Sequence, residues 1–136
     1  EKTFSKKMKV PFSLMVNSGS SANLLAFQCL INPYRKNRLK RGDQVLVPSI
    51  CWPTSLWPII QSGLKPIFVD IDKKNFNIDL KDLKRKISKK TKALMLIHVL
   101  GNSTNMDELK KILNKNKIIL VEDTCESIGA KYKKNF

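Results

Sequence analysis

Residues 44–72, QVLVPSICWPTSLWPIIQSGLKPIFVDID, hold two short apolar runs separated by a longer stretch with helical spacing. The runs at 44–47 and 66–69 are rich in Val, Ile and Leu and are bounded by turn residues, so they read as buried strands. Residues 54–62 lie between them and read as a helix. Two apolar strands flanking one helix predict parallel neighbours joined by a right-handed crossover. The alternation continues on both sides. Apolar runs recur at 14–16, 93–99 and 118–121, and helical patterns recur at 20–31, 80–87 and 106–114. The chain therefore predicts an α/β domain with a mostly parallel sheet. Helix 20–31 is apolar nearly all round, which predicts cover on both sides, and Asn32-Pro33 stops it. Helices 80–87 and 106–114 carry a narrow apolar stripe among lysines and are expected to face solvent. Residues 131–136 follow the last strand with no closing helix pattern.

A chain of 136 residues is enough for one core and too short for two comfortable domains. At 42% hydrophobic and 27% charged it is not a disordered composition, and five Gly and six Pro exclude collagen-like sequence. The apolar runs are too short to span a bilayer, and residues 1–10 are polar and basic with no secretory h-region behind them. No membrane partner is expected. Three separated cysteines, Cys29, Cys51 and Cys125, and a single histidine support neither a disulfide framework nor a zinc site. A reducing, cytoplasmic setting is the expectation. The net charge of +15 invites an anionic partner. The basic runs, however, are mostly Lys beside Asn, Asp or Glu, without interleaved aromatics, so they read as solvated faces and nucleic acid is not the expected ligand. A non-catalytic, polyanion-binding α/β module stays as the alternative from a different functional class.

Open α/β sheets bind ligands beyond the carboxyl ends of their strands, which directs attention to the residues after each run. Asn17-Ser-Gly-Ser-Ser-Ala-Asn23 leads from an apolar run into a helix. Free N–H groups at that helix start, a Gly that permits close approach and two hydroxyls suit a phosphate, although the segment also reads as an ordinary Ser-capped helix. It is neither a Walker A loop nor a dinucleotide fingerprint. Val121-Glu-Asp-Thr-Cys-Glu126 puts carboxylates at the end of a buried strand, where they are costly unless a cation pairs with them or Asp123 caps the next helix. Trp52, in the loop after another strand, could stack on a flat ring or simply pack. His98 ends an apolar strand and reads as a hydrogen-bonded core residue. A phosphate cradle, a stacking surface and a buried carboxylate at one sheet edge are what pyridoxal 5'-phosphate requires, the carboxylate keeping the pyridine nitrogen protonated.

Asn17-Ser-Gly-Ser-Ser-Ala-Asn23, Gly42-Asp-Gln-Val-Leu-Val-Pro48, the stretch Gly63 to Asp72, Thr91-Lys-Ala-Leu through His98-Val-Leu-Gly101, and Val121-Glu-Asp123 together resemble the DegT/DnrJ/EryC1/StrS family of sugar aminotransferases. The resemblance covers nearly the whole chain, from Val16 to Tyr132. It implies the aspartate aminotransferase-like, fold type I architecture and a pyridoxal 5'-phosphate (or pyridoxamine 5'-phosphate) enzyme acting on nucleotide-linked 4-keto sugars for surface polysaccharide or glycosylated metabolites. By the same resemblance Gly19, Ser20 and Ser21 match the phosphate-binding segment, Trp52 the aromatic stacked on the ring, and Asp123 the partner of the pyridine nitrogen. Glu126 falls where the family often has Gln or His against the phenolic oxygen, a departure that requires it to be protonated, turned away or otherwise employed. The family's Schiff-base Lys matches no Lys of this chain and belongs downstream. The resemblance thus implies that residues 1–136 are part of a large domain, without the rest of it or the small C-terminal domain, and that they transfer no amino group by themselves. It further implies glutamate as a typical amino donor and a homodimer as the full-length form. Amino transfer to the keto sugar is the leading expectation. The alternative is the 3-dehydratase branch, in which His replaces that Lys; Asn17 to Leu25, Leu100-Gly-Asn102 and the acid at 126 resemble it.

Overall fold

The computed structural model describes residues 1–133. Four parallel strands, β1 (Gln44–Pro48), β2 (Lys65–Val69), β3 (Thr91–Ile97) and β4 (Ile119–Asp123), form one sheet in the order β2-β1-β3-β4. Helices α1 (Lys2–Met8), α2 (Gly19–Ile31), α3 (Pro53–Gln61), α4 (Leu80–Lys86) and α5 (Met106–Asn116) complete it. The predicted α/β class and all four of the later strands are therefore present, each within a few residues of its expected bounds.

Side chains on a strand point alternately to the two faces, and this sheet is apolar on both. Val45 and Val47 of β1 with Ala93 and Met95 of β3 pack against Phe27 and Leu30 of α2 and Ile59 of α3. Leu46, Leu94 and Leu96 face the other way, against Leu83 of α4 and Leu109, Ile112 and Leu113 of α5. Each such Val, Leu, Ile, Phe or Met side chain, once fully buried, contributes about 1.5–3 kcal/mol. The chain moves outward from β1 to β2 and then returns to place β3 on the other side of β1, so the strand order reverses there. Crossovers of one hand that reverse direction place α3 and the α4 and α5 pair on opposite faces.

Local chemistry sets the element ends. Asp79 and Asn105 cap α4 and α5 by accepting the N–H of Lys81 and Glu108. Gly63, at φ +70, lets the chain turn out of α3 into β2. Asp82, 5% exposed on α4, accepts the Asp70 N–H at 2.8 Å and the Arg85 guanidinium at 2.9 Å, tying α4 to the end of β2. The Asp70 N–H, helped by Arg85 and Lys86, outweighs burial and holds the Asp82 carboxyl below its ordinary range. Replacing Asp82 by Asn keeps one acceptor for Asp70 but loses the charge, and thermal unfolding should report a loss of about 1 kcal/mol.

Three expectations need correction. Residues 14–16 form no strand: Leu14 and Met15 are 67% and 68% exposed, and the Met15 N–H goes to the Glu1 carboxylate instead of to a neighbouring strand. Three apolar residues carry too little period-2 signal to tell a strand from an extended loop. Helix α1 was not foreseen, because it buries none of its residues and so leaves no apolar stripe. Helix α2 is covered on one face only. It buries Asn23, Phe27 and Leu30, while Leu24 and Leu25 are 37% and 38% exposed. The expected absence of a closing helix over 131–136 lies, from residue 134 onward, outside the described residues.

Candidate active site

Asp123 is the last residue of β4 and pairs in register with Ile97 at the end of β3. On β4 it falls on the same face as Ile119 and Val121, both packed toward the α2 and α3 layer. Its Oδ2 accepts the Asn23 side-chain amide at 2.8 Å and the Ser55 hydroxyl at 3.0 Å, and its Oδ1 accepts the Cys125 N–H at 3.1 Å. Asn23 stands one helical turn beyond Gly19 and Ser20. Ser55 stands one turn beyond Trp52, to whose carbonyl it donates its own N–H at 2.9 Å. One carboxylate thus joins the hydroxyl-rich helix start, the indole-bearing loop and the strand end.

Proline explains how Asn23 is held. Pro58 lies inside α3 and has no N–H, so the Thr54 carbonyl four residues earlier lacks its helical partner. The Asn23 amide reaches that carbonyl at 3.4 Å with the same nitrogen that binds Asp123. Both of its acceptors lie on one side, which fixes the amide's orientation.

Burial alone would raise the Asp123 carboxyl. The Asn23 amide, the Cys125 N–H, the Ser55 hydroxyl and the Cys125 thiol together outweigh it, and the group lies below the ordinary carboxylate range. All of these donors are neutral. Among the described residues Asp123 has no Lys, Arg or His in ion-pair contact. A partly buried, ionised carboxylate without a cation fits a ligand that brings one, such as a protonated ring nitrogen.

Ser18 caps α2 by accepting the Ser21 N–H at 3.1 Å. The Gly19 and Ser20 N–H groups have no partner among the described residues, and a Cβ on Gly19 would meet nothing within 4 Å. An open, electropositive helix start of this kind suits an anion. Trp52 stands at the N-cap of α3, with Pro53 opening the helix behind it, and is 73% exposed. A groove of about 450 Å³ between the two helix starts is lined by Ser20, Ser21, Leu24, Thr54 and Trp57.

The sequence pattern of the DegT/DnrJ/EryC1/StrS aminotransferase family matches residues 1–135. This chain belongs to that family. It is 44% identical over 132 residues to the GDP-4-keto-6-deoxy-D-mannose 3-dehydratase of Escherichia coli O55:H7, which covers 97% of this chain and 34% of the relative. To the GDP-perosamine synthase of Vibrio cholerae it is 33% identical over 129 residues, covering 95% of this chain and 33% of the relative. The solved structure of the E. coli GDP-4-keto-6-deoxy-D-mannose-3-dehydratase with bound hydrated PLP superposes with a TM-score of 0.95 at 43% identity, over 100% of this chain and 35% of the other. The chain spans about a third of the length of these relatives. The fold is that of the pyridoxal-phosphate, fold type I enzymes, as the resemblance implied.

Of the residues singled out from the sequence, this DegT-family chain brings Gly19, Ser20, Ser21, Trp52 and Asp123 to one end of the sheet. The other two acids of the Glu122 to Glu126 segment go elsewhere. Glu122 alternates to the opposite face and lies 3.2 Å from His98 Nε2. His98 is 7% exposed, and its Nδ1 accepts the Thr104 N–H at 3.3 Å, which leaves the proton on Nε2, facing Glu122. It is a core residue. Glu126 turns to the neighbouring loop and accepts the Leu100 N–H at 2.8 Å. Sequence reasoning missed Asn23 and Ser55 as partners of Asp123. Asn23 left a signal, being a polar residue between Ala22 and Leu24 on a mostly apolar helix, where burial demands a partner. Ser55 left none.

Proposed function

We propose that the whole protein carrying this sequence binds pyridoxal 5'-phosphate, or its amine form, and removes the C3 hydroxyl from a nucleotide-linked 4-keto-6-deoxy sugar. The observation that carries this reading is the convergence of Asn23 and Ser55 on Asp123. Bound there, the cofactor would supply an electron sink beside the reacting sugar carbon. The chain's own residues divide the remaining work. Asp123, kept ionised by its donors, would hold the proton on the ring nitrogen. Gly19, Ser20 and Ser21 would hold the phosphate through the open end of α2. Trp52 would cover one face of the ring and exclude water from it.

Dehydration is placed ahead of amino transfer because identity is higher to the 3-dehydratase, 44% against 33% for the perosamine synthase. The same comparison supports a GDP-linked sugar, and 41% identity to a lipopolysaccharide biosynthesis protein of Salmonella typhimurium supports a role in lipopolysaccharide biosynthesis. Amino transfer remains the second reading, favoured by the family as a whole. We take the protein to be cytoplasmic and, when whole, a homodimer, the exposed Leu24, Leu25, Trp57 and Ile60 of α2 and α3 offering an apolar face to a partner copy.

The test incubates the whole protein with pyridoxal 5'-phosphate, ¹⁵N-glutamate and GDP-4-keto-6-deoxymannose, followed by mass spectrometry. The expected sugar product lacks the C3 oxygen and carries no ¹⁵N. A ¹⁵N-labelled amino sugar would establish the second reading, and unchanged substrate would refute both.

A further inference from the structure

Two loops leave the adjacent carboxyl ends of β3 and β4, and one side chain ties them together. Glu126, in the loop after β4, accepts the Leu100 N–H on Oε2 at 2.8 Å. Leu100 lies at φ 53 and ψ 32, a left-handed conformation that is strained for a residue with a Cβ. Its side chain is 80% exposed, so packing does not offset that strain. Gly101 follows at φ +78, and a Cβ there would stand 3.5 Å from the Glu126 carbonyl oxygen, so the two loops run close together at this point. The remainder of the loop is anchored from another direction. Asn77, 3% exposed, accepts the Val99 N–H at 3.1 Å and donates to the Asn102 carbonyl at 2.9 Å. Asn77 fixes the two flanks and leaves the apex to Glu126. Leu100 lies three positions beyond Ile97, the register partner of Asp123, and Glu126 lies three positions beyond Asp123 itself.

We infer that Glu126 is a positioning residue, whose carboxylate holds the left-handed Leu100 so that an exposed leucine stands beside the Asp123 site. This role rests on the function proposed above and replaces the contact with the ring's phenolic oxygen that the family resemblance suggests. Engaged by the Leu100 N–H, the Glu126 carboxylate is turned to the neighbouring loop and not to a phenolic oxygen, which avoids the like-charge conflict. A leucine held at that place would act on substrate binding and leave the cofactor's electronic state alone.

Hydrogen exchange at the Leu100 amide, read by NMR on the whole protein without cofactor, tests the clamp. Glu126→Ala should speed this exchange by about tenfold or more, the loss of one charge-assisted hydrogen bond. Glu126→Gln, which keeps an acceptor, should retain most of the protection. With cofactor bound, Glu126→Ala should raise KM for the nucleotide sugar severalfold without moving the cofactor's absorbance maximum. The double variant Glu126→Ala/Leu100→Gly should recover part of that KM, because Gly adopts positive φ without strain. Unchanged exchange in Glu126→Ala overturns the clamp. A shifted absorbance maximum in Glu126→Gln, or faster exchange with an unaltered KM, overturns the positioning role. Because exchange is measured without cofactor, its failure is separable from failure of the proposed function.

Discussion

Asp123→Asn should weaken pyridoxal 5'-phosphate binding by the whole protein about 30-fold or more, measured by titrating the cofactor's visible absorbance. The expectation follows from charge. Removing one member of a desolvated, hydrogen-bonded charge pair costs about 2–5 kcal/mol, and each 1.4 kcal/mol is tenfold in affinity. Asp123 has no Lys, Arg or His in ion-pair contact among the described residues, so the proposed ring N–H would be its cation. The substitution also reverses polarity locally. An Asn amide offers one acceptor and one donor where Asp123 meets the Asn23 amide, the Ser55 hydroxyl and the Cys125 N–H, all of them donating. A cofactor affinity within threefold of the parent would show that Asp123 is a structural carboxylate and that the ring binds elsewhere.

The fold was legible wherever burial left a periodic record. Strands β1 and β3 are apolar on both faces, with Val45, Leu46 and Val47 all fully buried, and such runs stand out in any sequence. Helix α5 was legible for the opposite reason, because Leu109, Ile112 and Leu113 mark one stripe among lysines. Helix α1 and the loop at 14–16 bury little and so wrote nothing that a pattern could detect. The site was legible in its parts. A Gly with serines before an apolar helix and an Asp at a strand end have local chemical reasons to be noticed, and the topological rule placed them at one edge. Their junction was not legible. Asn23 and Asp123 are 100 positions apart, and Ser55 and Asp123 are 68 apart. No local pattern links residues at that distance. The carbonyl that helps to fix Asn23 is free only because Pro58 lies inside α3, a consequence visible once the helix is known to include it.

That junction gives the second large expectation. Asn23→Leu, close in shape, removes the amide that bridges Asp123 and Thr54 and should lower stability at pH 7 by about 2–4 kcal/mol, since it orphans part of a carboxylate and a carbonyl. The loss should depend on pH in a defined sense. Hydrogen bonds hold the Asp123 carboxyl below its ordinary range in the folded chain, the Asn23 amide being the foremost of them against the opposing effect of burial. Its contribution is therefore fully present above the unfolded carboxylate value of about 3.9 and is lost as pH falls through the folded one. Without Asn23 the foremost of the donors opposing burial is lost and the carboxyl rises. Thermal unfolding of parent and variant should differ most near neutrality and draw together only as pH falls below about 3.9 and through the lowered folded value. Proline supplies the control. Pro58→Ala restores an N–H that the Thr54 carbonyl can accept within α3, so the double variant should lose less than the two single losses summed, a coupling of about 0.5 kcal/mol or more. A pH-independent loss with strictly additive variants would mean that Asn23 serves only to fill space between α2 and β4.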